Sequence, residues 1–305
     1  MSVPTISHAP EHVAASPQLP DVLPPIRIRH GITGFLYRYP TIAFGGALLF
    51  LLILIAVLAP VLWTVDPTAL APARRTRPPS AQFWFGTDML GRDIYSRVLY
   101  GARVSLTVGF CVAILASMAG LVIGLVSGFV RWADGLIMRM MDGLMSIPPI
   151  LLAVALMALT RASVSNVVVA ITIAEIPRVS RLVRGVVLSL REQLYVEAAV
   201  AAGTRTPMII LRHILPNTLA PMTVQATYIC ASAMIIEAIL SFIGAGTPPT
   251  TPSWGNIMAE GRALWQVKPY IVFFPAAFLS TTVLAVNLLG DGLRDALDPR
   301  LTSRP

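Results

Sequence analysis

The sequence predicts an all-α, polytopic membrane protein with six transmembrane helices, and three observations carry that expectation. Of the 305 residues 55% are hydrophobic and only 12% are charged, against roughly 25% charged in soluble domains, so the chain has too little polar surface to cover itself in water. Apolar runs of about 20 residues, enough to cross a hydrocarbon core of about 30 Å, recur along it. The net charge of +8 comes almost wholly from arginine, Lys268 being the sole lysine. These arginines are spread through the segments between apolar runs, as beside membrane spans, and not in a patch that would suit nucleic acid.

Residues 1–40 are polar and proline-rich (Pro4, Pro10, Pro17, Pro20, Pro24, Pro25) and read as a mobile tail. They do not read as a signal peptide, because the first apolar stretch starts late and is long enough to span. The first span is expected over Thr41–Trp63, or 41–63. An external segment, 64–103, follows. A core of five further helices is expected over 104–291, with spans at Val104–Val130, Gly143–Thr160, Ala162–Pro177, Thr218–Ala245 and Pro269–Gly290, and a short tail at 292–305. The largest internal basic segment lies at 178–216, with Arg178, Arg181, Arg184, Arg191, Arg205 and Arg212 against Glu192 and Glu197. Placing it in the cytoplasm puts both tails inside and 14 of the 23 basic residues with them, as the positive-inside rule favours. The Arg-rich segment 64–103 opposes that orientation, but long loops obey the rule weakly.

Within the second span Gly120, Gly124 and Gly128, with Ala116, recur every four residues. They form one smooth face along which another helix can approach closely, and packing inside this subunit is its preferred use. Cys111 and Cys230 are far apart within apolar runs and read as free buried thiols. There is no GxxxxGK[ST] phosphate loop, so nucleotide hydrolysis is not expected of this chain. No HExxH, GxSxG or paired-histidine arrangement is present. His8, His12 and His30 fall in the tail and His213 stands alone, so neither a metal nor another cofactor is expected.

The basic segment carries local helix signals. Ser189 and Glu192 fit a capping box, the run Leu194 to Ala202 is helical in type, and Gly203 stands where a left-handed stop is expected. Thr206-Pro207 opens a further helical piece, and Leu215-Pro216 leads into the next span. Read on its own this is an amphipathic interfacial helix. Glu237 lies mid-span, where a charge costs about 2.5–3.5 kcal/mol on the insertion scale. It is either a group lining a water-filled path or a structural carboxyl bonded to a neighbouring helix. Glu175, near the end of its span, reads as reaching the interface or pairing with Arg178. The stretch Gly86-Thr87-Asp88-Met89-Leu90-Gly91-Arg92-Asp93 has the look of a ligand loop. Its preferred reading is a tight external turn with local Arg92–Asp93 electrostatics, leading into a surface helix.

Glu197-Ala198-Ala199, Gly203 and then Leu215-Pro216 resemble the EAA loop of ABC importer permeases. Basic His213 just before the Ile214-Leu215-Pro216 triplet is similar to the peptide-transport branch of that family. Phe85 to Asp93 with Ser96-Arg97 and Tyr100 to Arg103, Pro252 to Gly255, and Asn287 to Pro299 resemble further stretches of dipeptide and oligopeptide permeases. The likeness runs from about Phe35 to Leu301 and is to the "C"-type permease of the dipeptide/oligopeptide/nickel branch. It implies a type I ABC importer permease fold and a non-enzymatic pore-forming subunit in the inner membrane. The implied partners are a second, paralogous permease, two ABC ATPase subunits and a periplasmic or lipid-anchored substrate-binding protein. The implied cargo is a dipeptide or oligopeptide, or a related small peptide or nickel chelate. It makes 178–216 the cytoplasmic coupling loop that docks on an ATPase subunit. Two other classes are weighed beside it. A self-contained secondary transporter should show inverted repeats with several midplane charges, and an intramembrane enzyme should show a catalytic dyad or metal ligands; the sequence displays neither pattern.

Overall fold

A computed structural model describes residue 34 and residues 37–297. The proline-rich tail, including His8, His12 and His30, and the chain after Leu297 lie outside the described residues. Regular structure among the described residues is helical apart from an isolated bridge between Thr87 and Asp93. The long helices are α1 (Pro40–Leu58), α2 (Ile94–Phe129), α5 (Val164–Arg191), α8 (Leu215–Phe242) and α10 (Tyr270–Leu297). Shorter ones are α3 (Arg131–Met145), α4 (Pro149–Ala158), α6 (Leu194–Ala201), α7 (Thr206–Ile209) and α9 (Trp254–Gly261).

Among the described residues four stretches are long and apolar enough to cross a membrane: Pro40–Val61, Ile94–Phe129, Thr206–Phe242 and Tyr270–Leu297. The pair α3 and α4, bent by 87°, makes a fifth if it counts as one span. Two of the six expected spans therefore take other forms. Gly143–Thr160 is not one helix, because Pro148 stands in extended conformation (ψ 136°) between α3 and α4. The 10 residues of α4 reach only about 15 Å. Ala162–Pro177 is the first part of a 28-residue helix that runs on through Pro177 to Arg191. Its charges, Glu175, Arg178, Arg181, Arg184 and Arg191, set it apart from the purely apolar spans.

The packing explains why α5 does not stop at Pro177. Val179, Val183 and Val187, fully buried and spaced by four, lie against Gly120, Gly124 and Gly128 of α2. A Cβ on Gly124 would fall 2.6 Å from Val183 Cβ, and one on Gly128 would fall 2.5 Å from Val187 Cγ1. The glycine stripe is thus an intrasubunit packing face, and tertiary contact outweighs one lost backbone hydrogen bond. Ion pairs fasten the same helix to α3. Arg184 donates to both oxygens of Asp134 at 2.6 and 2.7 Å, and Arg181 to Asp142 at 2.5 Å. At its end Arg191 donates to Gly128 O at 2.6 Å and covers the Phe129 ring. Helices α1 and α10 meet backbone to backbone, a Cβ on Gly45 falling 2.7 Å from Leu289 N.

Helix α2 begins at Ile94, so Ile94 to Arg103, expected in the external segment, is core helix. Asp93 caps it by accepting from Ser96 N at 2.8 Å. Arg97 and Ser96 are buried within it. Likewise α10 continues to Leu297, into residues expected as tail.

Candidate functional site

The segment expected as a coupling loop is a hairpin between two long helices. Its helical part is shorter than expected. Ser189 lies inside α5, Glu192 is that helix's C-terminal cap residue, and Gln193 opens α6 without a side-chain cap. The anticipated Ser189–Glu192 capping box therefore does not form, because α5 has not ended by Ser189. The stop is as anticipated. Gly203 has φ +76°, its N–H donates to Val200 O at 2.9 Å, and Thr204 N–H donates to Ala199 O at 3.1 Å. These two bonds are the Schellman pair, which uses the last carbonyls of the helix.

Glu197, Ala198, Ala201, Ala202 and Gly203 are exposed and Ala199 is partly so. Beside them Leu194, Val200, Met208 and Leu211 are exposed apolar side chains, each more than half accessible. Buried Val196, Ile209 and Ile214 hold the hairpin down. Two clefts of about 390 and 460 Å³ flank Glu197, the first lined by Arg131, Asp134 and Arg191, the second by Phe129, Val200 and Thr206. After α7 the chain makes a π turn over Ile210–Ile214. Leu215 N–H donates to Ile210 O, one residue beyond α spacing. Leu215 is partly buried and Pro216 exposed, and Pro216, which has no N–H to give, follows the widened turn. From Thr206 to Phe242 the helix is otherwise continuous, so α6 is joined by short links to α5 on one side and α8 on the other.

Glu237 has no exposed surface. Its Oε1 accepts from Ser241 Oγ at 2.8 Å and its Oε2 from Ser105 Oγ of α2 at 3.3 Å. Ser241 Oγ in turn lies 3.2 Å from Thr247 Oγ1, which lies 3.3 Å from Ser253 Oγ. This closed polar network ties α8 to α2 and to the loop before α9. Trp254 seals it, fully buried, with Nε1 donating to Val98 O at 3.0 Å.

The Gly86-to-Asp93 stretch lies at the same end as this network. Its charges are used internally, and the partners differ from those expected. Asp88 Oδ2 accepts from Arg92 Nε at 2.7 Å and from Arg97 Nη1 at 2.6 Å, while Asp88 Oδ1 accepts from the amides of Leu90 and Arg92. Both arginines also bind Glu260 of α9, Arg97 Nη2 at 3.1 Å and Arg92 through Nη2. Asp93 does not pair with Arg92; as the cap of α2 it satisfies an amide that has no intrahelical acceptor. Thr87 Oγ1 donates to Arg74 O at 2.5 Å and accepts from Arg77 N at 2.8 Å. Gly86 and Gly91 have φ +79° and +77°, and a Cβ on Gly91 would meet the Ala71 carbonyl group. The turn leads into the first core helix and not into a surface helix. Sequence reasoning missed Glu260, which lies far along the chain and carries no local signal.

Glu175 of α5 is also buried, 1% exposed, and does pair with Arg178, Nη1 to Oε2, at 3.2 Å. Its Oε1 accepts from Ser232 Oγ of α8 at 3.0 Å. It borders an open cleft of about 380 Å³ walled by α4, α5, α8 and α10. No group of three or more potential metal ligands occurs among the described residues.

The family model described as "Binding-protein-dependent transport system inner membrane component" matches residues 117–303. A probable peptide ABC transporter permease protein of Sinorhizobium fredii is 51% identical over 275 residues, 90% of this chain and 94% of that one. A dipeptide transport system permease protein of Alkalihalophilus pseudofirmus is 44% identical, covering 82% and 83%. A glutathione transport system permease protein of Pectobacterium atrosepticum is 41% identical, covering 88% and 90%. Among solved structures, an inward-facing MetNI methionine ABC transporter chain superposes with a TM-score of 0.56 at 18% identity, over 67% of this chain and 98% of that one. The shared fold is the type I ABC importer permease fold anticipated from the sequence.

Proposed function

Because this chain belongs to the family of inner-membrane components of binding-protein-dependent transport systems, we propose that it is one of two pore-forming subunits of an importer for short peptides. It is an inner-membrane permease subunit and not an enzyme. The peptide cargo is supported by relatives whose names give peptides, dipeptides and glutathione. A paralogous permease completes the path, two ABC ATPase subunits hydrolyse ATP, and a periplasmic or lipid-anchored binding protein delivers the peptide. This chain contributes two arrangements of the path, whose populations the ATPases shift.

The α6 hairpin is the observation that carries the proposal. It offers an exposed face of Glu197, Ala198 and flanking apolar side chains. Its sharp end at Gly203 fixes where that face points. A push on it reaches α5 through Glu192-Gln193 and α8 through the unbroken helix from Thr206, so one docked ATPase moves two path helices together. The hairpin is then cytoplasmic and the Asp88–Glu260 network external. Helix α9, the loop before it and the 64–93 segment form the face toward the binding protein.

Gly203→Val and Glu197→Lys test the hairpin. Valine at φ +76° costs about 1–3 kcal/mol of local strain, which redirects the helix end. Lysine reverses the charge that sets docking register. Both variants should reach the membrane at wild-type levels. Both should lose either co-purification of the ATPase subunits or stimulation of ATP hydrolysis by loaded binding protein. Wild-type assembly together with wild-type stimulation in both would reduce the hairpin to an interfacial helix.

A further inference from the structure

We propose that the cleft beside Glu175 is a contact point on the conduction path, where this carboxylate takes the ammonium group of a passing peptide. The inference rests on the reading of the chain as a peptide-importer subunit and deepens it.

The geometry distinguishes Glu175 from Glu237. Glu237 engages both oxygens with hydroxyls inside a closed network and has no exposed surface. Glu175 engages only Oε1, with Ser232. Its Oε2 is buried and accepts no hydrogen bond, although Arg178 Nη1 lies 3.2 Å away. A carboxylate can accept about four hydrogen bonds, so Glu175, which borders the cleft, has acceptor capacity that its present partners do not fill. Arg178 is 47% exposed and can turn toward water as an arriving ammonium takes its place, so that Glu175, which cannot move out with it, is not left as an unpaired buried charge. Tyr228, Ser232 and Asn287 add polar groups to the same cleft, and Pro149 places the start of α4 at its edge.

Burial agrees. Glu175 is 1% exposed, and an acid so enclosed in a membrane protein faces a polar path or the protein and not lipid. A peptide crossing there loses water around its ammonium, and an anchored carboxylate with free acceptor positions replaces it. Arg178, once released, is placed to meet the peptide's carboxylate. The cleft also lies between α5 and α8, the two helices joined to the α6 hairpin, so movement of the hairpin would change its width.

The test uses the complete complex, with its partner permease, ATPases and binding protein, in lipid vesicles, and trialanine as the probe. Glu175→Gln should lower the trialanine moved per ATP hydrolysed about tenfold, the scale of one charge-assisted hydrogen bond, and Glu175→Asp should restore part of it. A purely structural loss lowers transport and hydrolysis together and leaves that ratio unchanged, which overturns the proposal. A second measurement keeps Glu175 intact. Ser232→Cys, with Cys111 and Cys230 replaced by alanine, should react during turnover with a cationic, membrane-impermeant thiosulfonate, and trialanine should slow the reaction. Labelling that trialanine does not slow overturns the proposal even if Glu175→Gln fails to assemble. If the wild-type complex moves no peptide at all, the peptide reading fails before any variant is compared, and this contact fails with it.

Discussion

Two buried acids in neighbouring helices answer the same question differently. Glu237 accepts from hydroxyls on two helices, so the amide of Glu237→Gln, which still offers an acceptor oxygen, should keep the network and leave the yield of assembled complex near wild type. Glu237→Leu strips Ser105 and Ser241 of an acceptor, a loss of about 1–3 kcal/mol, and should lower both yield and the thermal unfolding midpoint in detergent. A path-lining role would require α2 to part from α8 during turnover; reduced transport by well-assembled Glu237→Gln would support that role, while normal yield and midpoint for Glu237→Leu would show the network to be dispensable. The charges of the Gly86–Asp93 turn follow a related rule. Arg92 and Asp93 are adjacent in sequence and suggest a pair, yet Asp93 is taken by the amide of Ser96 and Arg92 by Asp88 and Glu260. A helix start has unsatisfied amides, and capping them competes directly with side-chain pairing.

At the scale of elements, the α2–α5 contact is the joint on which the rest hangs. Gly120, Gly124 and Gly128 receive Val179, Val183 and Val187, and the contact carries α5 past Pro177. Gly124→Leu would put several carbons where Val183 and the Ser180 carbonyl already stand. Overpacking of this kind costs about 1–3 kcal/mol or more. The expected result is a marked drop in folded protein and in its detergent unfolding midpoint, with Gly124→Ala intermediate. A Cβ on Gly135, by contrast, would have nothing within 4 Å, so Gly135→Ala should change neither measurement and serves as the control. The spacing of the glycines is readable from the chain, and so is Gly203, because glycine marks backbone conformations that other residues resist. The capping signal at Ser189 misleads because a local pattern does not register that α5 is still held by its neighbours.

Across the whole molecule, orientation is the property that charge should decide. Fusions near Ala81 should report the outside and fusions after Pro305 the cytoplasm. Arg178 to Arg191 lies in the packed helix α5, so an internal reporter belongs instead at exposed Arg205, where it should report the cytoplasm. A cytoplasmic signal at Ala81 would reverse the proposed arrangement and place the α6 hairpin away from any ATPase. Composition and apolar run length alone determined that the chain is an all-α membrane protein, since the cost of unpaired backbone in lipid leaves few alternatives. Ordered motifs determined the family, because Glu197, Gly203, Leu215-Pro216 and the Gly86–Asp93 stretch are local features of sequence. The tertiary structure alone decided how far each helix runs, that Gly143–Thr160 bends at Pro148, that Glu260 joins Asp88, and that Glu175 borders an open cleft while Glu237 is enclosed. Those outcomes depend on contacts between residues far apart in the chain, whose energies no local window contains.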